Sequence, residues 1–231
     1  MTGLDIHGLQ KMTLLDYPGK VACTVFLGGC DFRCPYCHNA ELLSGDAPPV
    51  MDDGALLDFL KQRRGLLDGV VVTGGEPLLR DVSPLLREIR ALGFCVKLDT
   101  NGTHPDRMLA LIEAGLVDYV AMDVKSSPAR WAETVGLAEF DLTPVRESIA
   151  LLLTGRVDYE FRTTVVDELH DADTFYGIGA LIRGAARCFL QPFTDRDTVP
   201  YAGLHAPGRE ALERYAEILR GYVVSVEIRG A

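Results

Sequence analysis

Short apolar runs alternate with amphipathic stretches along most of this chain. The runs at residues 21–27, 70–72, 94–98, 119–122, 159–166, 188–191 and 223–228 are each short enough to be a strand. Several lack polar alternation, as strands buried on both faces do. Between them, Leu85, Leu86, Ile89 and Leu92 share one helical face, and Gly93 stands where a helix-ending glycine belongs. Thr143 and Pro144 read as an N-cap and first-turn proline of a helix that Gly155 ends. Residues 210–219 form a further amphipathic candidate after Pro207 and Gly208. Strands alternating with helices predict an α/β fold with a mostly parallel sheet and right-handed crossovers. The expected architecture is an open, partial TIM-type (β/α)6 barrel. One domain is expected over 1–231, with 1–20 leading in, 21–193 forming the barrel, and 194–231 adding a loop, helix and strand. Residues 194–207 carry no element signal and are a candidate lid or partner-binding loop, or a plain surface excursion.

Composition narrows the function classes. At 231 residues and 48% hydrophobic, the chain can bury a sizeable core. Its formal charge of −10 argues against nucleic acid as main partner, because phosphate binding needs a basic face. No run of about 18 apolar residues suggests a membrane span. Residues 1–20 do not resemble a secretory signal. Six cysteines without such a signal predict reduced thiols and a cytoplasmic protein.

Three of those cysteines crowd together: Cys30, Cys34 and Cys37, in Gly-Gly-Cys-Asp-Phe-Arg-Cys-Pro-Tyr-Cys-His-Asn, directly after the first apolar run. Thiolates at C-x3-C-x2-C spacing can each ligate a different iron of one [4Fe–4S] cube, leaving the fourth iron open for chemistry. Three other readings fit parts of the segment. Cys34 and Cys37 alone spell a thiol redox pair, which has no use for Cys30. With His38 they spell a c-type haem attachment site, normally found in exported chains. Cys30, Cys34, Cys37 and His38 could also hold structural zinc, although two adjacent ligands make a poor tetrahedral set.

Further chemistry collects at strand ends. Gly74, Gly75 and Glu76 follow the second run; glycines admit close backbone approach, and a carboxylate there can bind an ammonium. Alone they would read as a tight turn. Leu98-Asp99-Thr100-Asn101-Gly102 and Met122-Asp123-Val124-Lys125 end the third and fourth runs, and Arg162 lies in the fifth. Asn-Gly is also a common turn dipeptide, and Asp–Lys or Arg pairs can be structural. Yet catalytic groups of α/β barrels gather at the C-terminal ends of strands. His7, His104, His170 and His205 lack any partner spacing and read as solvated or core-satisfied. Cys23, Cys95 and Cys188 read as small buried hydrophobes.

The cysteine spacing, with an aromatic before the last cysteine and a Gly-Gly-Glu segment downstream, resembles the signature of the radical S-adenosylmethionine superfamily. The two strand-end aspartate motifs resemble those of glycyl-radical-enzyme activases. Residues 8–20 and 226–230 resemble the opening and ending of anaerobic ribonucleoside-triphosphate reductase activating proteins, relatives of pyruvate formate-lyase activase. The resemblance implies a [4Fe–4S] cluster on Cys30, Cys34 and Cys37, with S-adenosylmethionine chelating the open iron. It places Tyr36 near the adenine and Glu76 on the methionyl amine, with Gly74 and Gly75 beside it. Asp99, Thr100, Asp123, Lys125 and, more weakly, Arg162 would surround the cosubstrate carboxylate and a monovalent cation. The His38 side chain would matter little, since its backbone reads the adenine. The implied reaction is reductive cleavage to a 5′-deoxyadenosyl radical. That radical activates a glycyl radical enzyme, with flavodoxin or ferredoxin as electron donor and no side-chain catalyst beyond the cluster and cosubstrate. Alternatives are a small-molecule radical enzyme similar to 7-carboxy-7-deazaguanine synthase, or a non-catalytic iron–sulfur or zinc module.

Overall fold

The computed structural model describes residues 3–230. They fall into two compact units. The first comprises 3–31, 41–120 and 156–158. It holds strands β1 (Asp5–Thr13), β2 (Ala22–Leu27), β3 (Met51–Asp52), β4 (Gly69–Gly74) and β5 (Cys95–Thr100). Its helices are α1 (Asp53–Gln62), α2 (Ser83–Ala91) and α3 (Pro105–Glu113). Strand β6 (Tyr119–Asp123) begins in this unit and ends in the second. The second unit carries α4 (Trp131–Thr134), α5 (Thr143–Leu153), nearly all of β7 (Asp158–Val165), α6 (Ala172–Leu181), β8 (Arg187–Pro192), α7 (Arg209–Arg220) and β9 (Ser225–Ile228).

The strand order is β3-β1-β2-β4-β5-β6-β7-β8-β9, an open sheet ending on β3 and β9. Strand β1 pairs antiparallel with β2 and β3. The pairs β2–β4, β4–β5, β7–β8 and β8–β9 are parallel. The expected open, mostly parallel α/β fold is therefore what the chain adopts.

Burial explains the unalternating runs. Val70, Val71 and Val72 of β4 are all fully buried, as are Leu85, Leu86 and Ile89 of α2. Each such side chain contributes about 1.5–3 kcal/mol relative to exposure. In the second unit, Leu212, Tyr215, Ala216 and Leu219 form the buried stripe of α7. Tyr215 stacks on Phe175 of α6 with ring centroids 4.3 Å apart.

The start of α5 differs from expectation. Thr143 is already helical, Leu142 occupies the cap position without a side-chain bond, and the Asp141 carboxylate accepts the Thr143 N–H at 3.0 Å. The aspartate two residues upstream reaches the first open amide, so the threonine has no cap to make. Residues 194–207 carry no helix or strand, as expected.

Candidate cofactor-binding site

In the first unit, the site is built where β2 and β4 end. Gly74 has φ +121°, and a Cβ there would lie 2.2 Å from the Leu27 carbonyl oxygen. A Cβ on Gly75 would lie 1.9 Å from the Gly29 carbonyl oxygen. Only glycine lets these two loops touch through their backbones. Gly75 N–H donates to Leu27 O at 2.9 Å, and Glu76 N–H donates to Gly29 O at 2.7 Å. The segment leading into Cys30 is thereby clamped against the Gly-Gly-Glu turn.

Glu76 is 1% exposed. Its Oε1 accepts from Leu78 N at 2.9 Å and from Thr100 Oγ1 at 2.9 Å, and its Oε2 accepts from Asn101 N at 2.7 Å. All three donors are uncharged. Burial pushes the carboxyl up to about 7 against the pull of these three bonds. A ligand ammonium at Oε2, which has a lone pair left after Asn101, would return it to the ionised form. Thr100 holds Glu76 and accepts from Gly102 N at 3.1 Å.

Asp99 ion-pairs with Lys97, two residues earlier on the same face of β5. Lys97 is 1% exposed, and the sequence reading passed over it. A lysine inside an otherwise apolar run was the available signal. Around Cys30, Asn101 Nδ2 lies 3.9 Å from the sulfur. Its Oδ1 accepts from Thr103 N at 3.0 Å. Asp31 Oδ2 is 2.6 Å from Thr103 Oγ1 and 3.1 Å from His104 Nε2.

The second unit carries the other two cysteines. Cys37 N–H donates to Cys34 O at 3.1 Å, closing the turn around Tyr36, while Arg33 N–H donates to Val135 O at 2.8 Å. Tyr36 is 4% exposed, and its buried hydroxyl has no hydrogen-bond partner among the described residues. Burial raises its phenol well above the ordinary value. An unsatisfied buried hydroxyl costs about 1–3 kcal/mol, which a polar ligand atom would offset.

At the end of β6, Asp123 pairs with Lys125 at 2.9 Å and with Arg162 of β7 at 3.0 Å. Burial alone would raise the Asp123 carboxyl, but the Arg162 and Lys125 cations outweigh it and hold it at about 2. Asp123 thus gathers two cationic side chains at the strand end, and such cations can bind an anionic ligand group such as a carboxylate. Asp99 and Asp123, which the resemblance places beside a monovalent cation, each carry a cationic side chain of the protein.

The His38 side chain matters more than expected. Its Nε2 lies 2.6 Å from Thr194 O and its ring stacks on Phe193, while Thr198 Oγ1 donates to His38 O at 2.7 Å. An imidazole so engaged is a poor fourth zinc ligand. Among the described residues no three His, Cys, Asp or Glu side chains converge as a single metal ion requires. An iron–sulfur cube makes a different demand, since each thiolate binds its own iron. His170 is core-satisfied as expected: it is 2% exposed, with Nε2 2.9 Å from Lys125 O, and burial lowers its pKa. Cys23 and Cys188 are buried, with thiols pushed up to about 12 by burial, whereas Cys95 is only partly covered. No helix among the described residues is long and apolar enough to cross a membrane.

Comparison with known proteins bears on these groups. The profile of the Radical SAM superfamily matches residues 24–180. A protein of Methanocaldococcus jannaschii, provisionally named a glycyl-radical enzyme activating enzyme, is 31% identical over 97% of this chain and 95% of its own length. A 7-carboxy-7-deazaguanine synthase of Hyperthermus butylicus is 34% identical over 77% of this chain and 71% of its own. Among solved structures, Streptococcus suis SuiB bound to S-adenosylmethionine aligns with TM-score 0.67 over 88% of this chain and 48% of that one. At 13% identity that likeness is one of fold. The Cys30–Cys37 segment, the Gly-Gly-Glu turn and the strand-end ion groups all lie within the matched region, and the chain belongs to the Radical SAM superfamily, whose members use a [4Fe–4S] cluster and S-adenosylmethionine.

Proposed function

We propose that this chain is a glycyl-radical-enzyme activase. The observation that carries this reading is the likeness to the M. jannaschii activating enzyme, which runs through nearly the whole of both chains. Cys30, Cys34 and Cys37 would hold a [4Fe–4S] cluster, and its chemistry with bound S-adenosylmethionine would be one-electron reductive cleavage, the electron coming from an external carrier, to methionine and a 5′-deoxyadenosyl radical that takes hydrogen from a glycine Cα of the partner.

The chain's own residues bind, orient and shield. Cys30, Cys34 and Cys37 lie within eight consecutive residues, so the backbone keeps three thiolates within reach of one cube. Gly74 and Gly75 clear backbone room, and Glu76 receives the ammonium of the cosubstrate. Lys125 and Arg162, held beside Asp123, receive its carboxylate. The buried Tyr36 ring covers the adenine side. Asp99, oriented by Lys97, and Thr100, which holds Glu76, support the Glu76 end. Orienting the bound cosubstrate is the main contribution a protein makes when cofactors carry the chemistry. A low-potential electron carrier such as flavodoxin or ferredoxin supplies the electron.

The second reading, a small-molecule enzyme, is favoured by the H. butylicus synthase likeness. Anaerobic reconstitution with iron and sulfide, then dithionite and S-adenosylmethionine, separates the possibilities. An activase yields 5′-deoxyadenosine and leaves a glycyl radical, visible by electron paramagnetic resonance, on a co-incubated glycyl radical enzyme. Multiple turnovers on a small molecule without any partner would support the synthase reading. An intact, reducible cluster giving no 5′-deoxyadenosine under either condition would refute both.

A further inference from the structure

Asn101 sits at a junction that neither the superfamily motifs nor its turn-forming neighbour Gly102 explains. It is 5% exposed, in the loop after β5. Its backbone N–H is committed to Glu76 Oε2 at 2.7 Å. Its side-chain Oδ1 accepts the Thr103 N–H at 3.0 Å and lies 2.7 Å from Thr103 Oγ1. A backbone amide can only donate, so the oxygen of the carboxamide must face Thr103 and the NH2 must face the other way. The other way is Cys30: Nδ2 lies 3.9 Å from its sulfur. The following residues hold the same stretch of chain, since Thr103 Oγ1 and His104 Nε2 both reach Asp31 Oδ2, at 2.6 and 3.1 Å.

We propose that Asn101 is a positioning residue for the cluster, donating an N–H to the Cys30 sulfur and thereby setting the cluster's reduction potential. The proposal rests on the reading above that Cys30 holds one iron. A donor aimed at a ligating sulfur stabilises the electron-rich, reduced state more than the oxidised one, because reduction adds negative charge that the N–H dipole faces. Removing it must therefore drive the midpoint potential more negative. The donor is rigid: Thr103 aims it, and the Asn101 backbone is tied to the same carboxylate that we assign to the cosubstrate amine. One residue thus bridges the two, its side chain at the metal ligand and its backbone at the Gly-Gly-Glu turn.

The experiment compares parent, Asn101→Ala and Asn101→Asp after anaerobic reconstitution. Iron and sulfide per chain and the midpoint potential are read by a redox titration followed by electron paramagnetic resonance. Asn101→Ala leaves the backbone bond to Glu76 in place and removes only the carboxamide. The expected result is parent-like iron content with a more negative midpoint. Asn101→Asp, which turns an oxygen toward the sulfur, is expected to move it further the same way. A parent midpoint in cluster-loaded Asn101→Ala overturns the proposal while the parent's own cluster leaves the proposed function standing. A parent that assembles no [4Fe–4S] cluster would instead refute that function. Should Asn101→Ala fail to load iron, Thr103→Val carries the test, because it loosens the aim of the carboxamide without removing it. A more negative midpoint there supports the proposal, and the parent value overturns it.

Discussion

Replacing Gly75 with alanine places a methyl carbon 1.9 Å from the Gly29 carbonyl oxygen. Real Cβ atoms essentially never approach closer than 3.0 Å, and the obstacle is backbone, which cannot rotate aside. One loop must retreat by about 1 Å, the kind of displacement that overpacking forces in a dense interior. That retreat stretches the 2.7 Å bond from Glu76 N to Gly29 O beyond hydrogen-bonding range. Overpacking costs about 1–3 kcal/mol and a lost buried bond about 1 kcal/mol, so the total is about 3 kcal/mol. For a chain of this size that corresponds to a fall in Tm of about 6–12 °C. Gly29 leads directly into Cys30, so iron incorporation is expected to fall along with stability. The assay is thermal unfolding of the apoprotein, followed by iron content after anaerobic reconstitution. Gly208→Ala is the control: a Cβ there meets nothing within 4 Å, and its cost stays within about 1 kcal/mol. A Gly75→Ala variant within about 2 °C of the parent, with parent iron content, would refute the account of the loop contact.

Three further outcomes are expected. Asp123→Ala leaves Lys125 and Arg162 facing each other without their carboxylate. It is expected to cost about 2–4 kcal/mol by denaturant unfolding, discounted for partial exposure, and a change below about 0.5 kcal/mol would count against the triad. Asp123 is depressed from 3.8 to about 2 in the folded chain. Its roughly 2 kcal/mol of stability is therefore fully present above pH 3.8 and lost as pH falls through 2; acid unfolding of Asp123→Asn must lack that component. Glu76, raised to about 7, has the opposite sign. The apoprotein is most favoured below pH 4.5 with respect to this group and loses that contribution as pH rises through 7, while affinity for the cosubstrate ammonium grows as the carboxyl ionises. Calorimetric titration of S-adenosylmethionine should show affinity rising roughly tenfold from pH 6 to 8 through this ionisation, and the same slope in Glu76→Ala would exclude Glu76 as its source.

Strands β2, β4, β6 and β8 were legible because burial on both faces leaves short, nearly unbroken apolar runs. The Gly-Gly-Glu turn was legible only in company with the Cys30–Cys37 spacing, since alone it reads as an ordinary tight turn. Strand β1 was not, since its burial follows no period of two. Helix α6 was hidden by Gly177 and Gly179, which the fold requires. A Cβ on Gly177 would lie 2.4 Å from the Ser127 Cβ, and one on Gly179 2.6 Å from the Tyr222 ring. Partner identity was the hardest part to foresee. Glu76 was expected to await a ligand, and nothing in its neighbours announces that Leu78, Thr100 and Asn101 already hold it. Thr100 and Asn101 looked like turn residues, and Lys97 like an intrusion, because such roles depend on contacts 24 or more residues away in the chain or on which face of a strand is inward.

The long loop before α7 is fastened near both of its ends by hydrogen bonds to residues distant in the chain. His38 grips Thr194 and Thr198 at one end. At the other, Glu168 accepts from His205 N at 3.0 Å and lies 2.6 Å from its Nδ1, and Asp167 N–H donates to His205 O at 2.9 Å. A span secured this way can change length and composition between its anchors without disturbing them, since doubling a flexible loop adds only about 0.6 kcal/mol of closure entropy. Natural variation can therefore rewrite residues 199–204 like an exchangeable cassette. Grafting that stretch between relatives is the direct way to transplant whatever selectivity it confers.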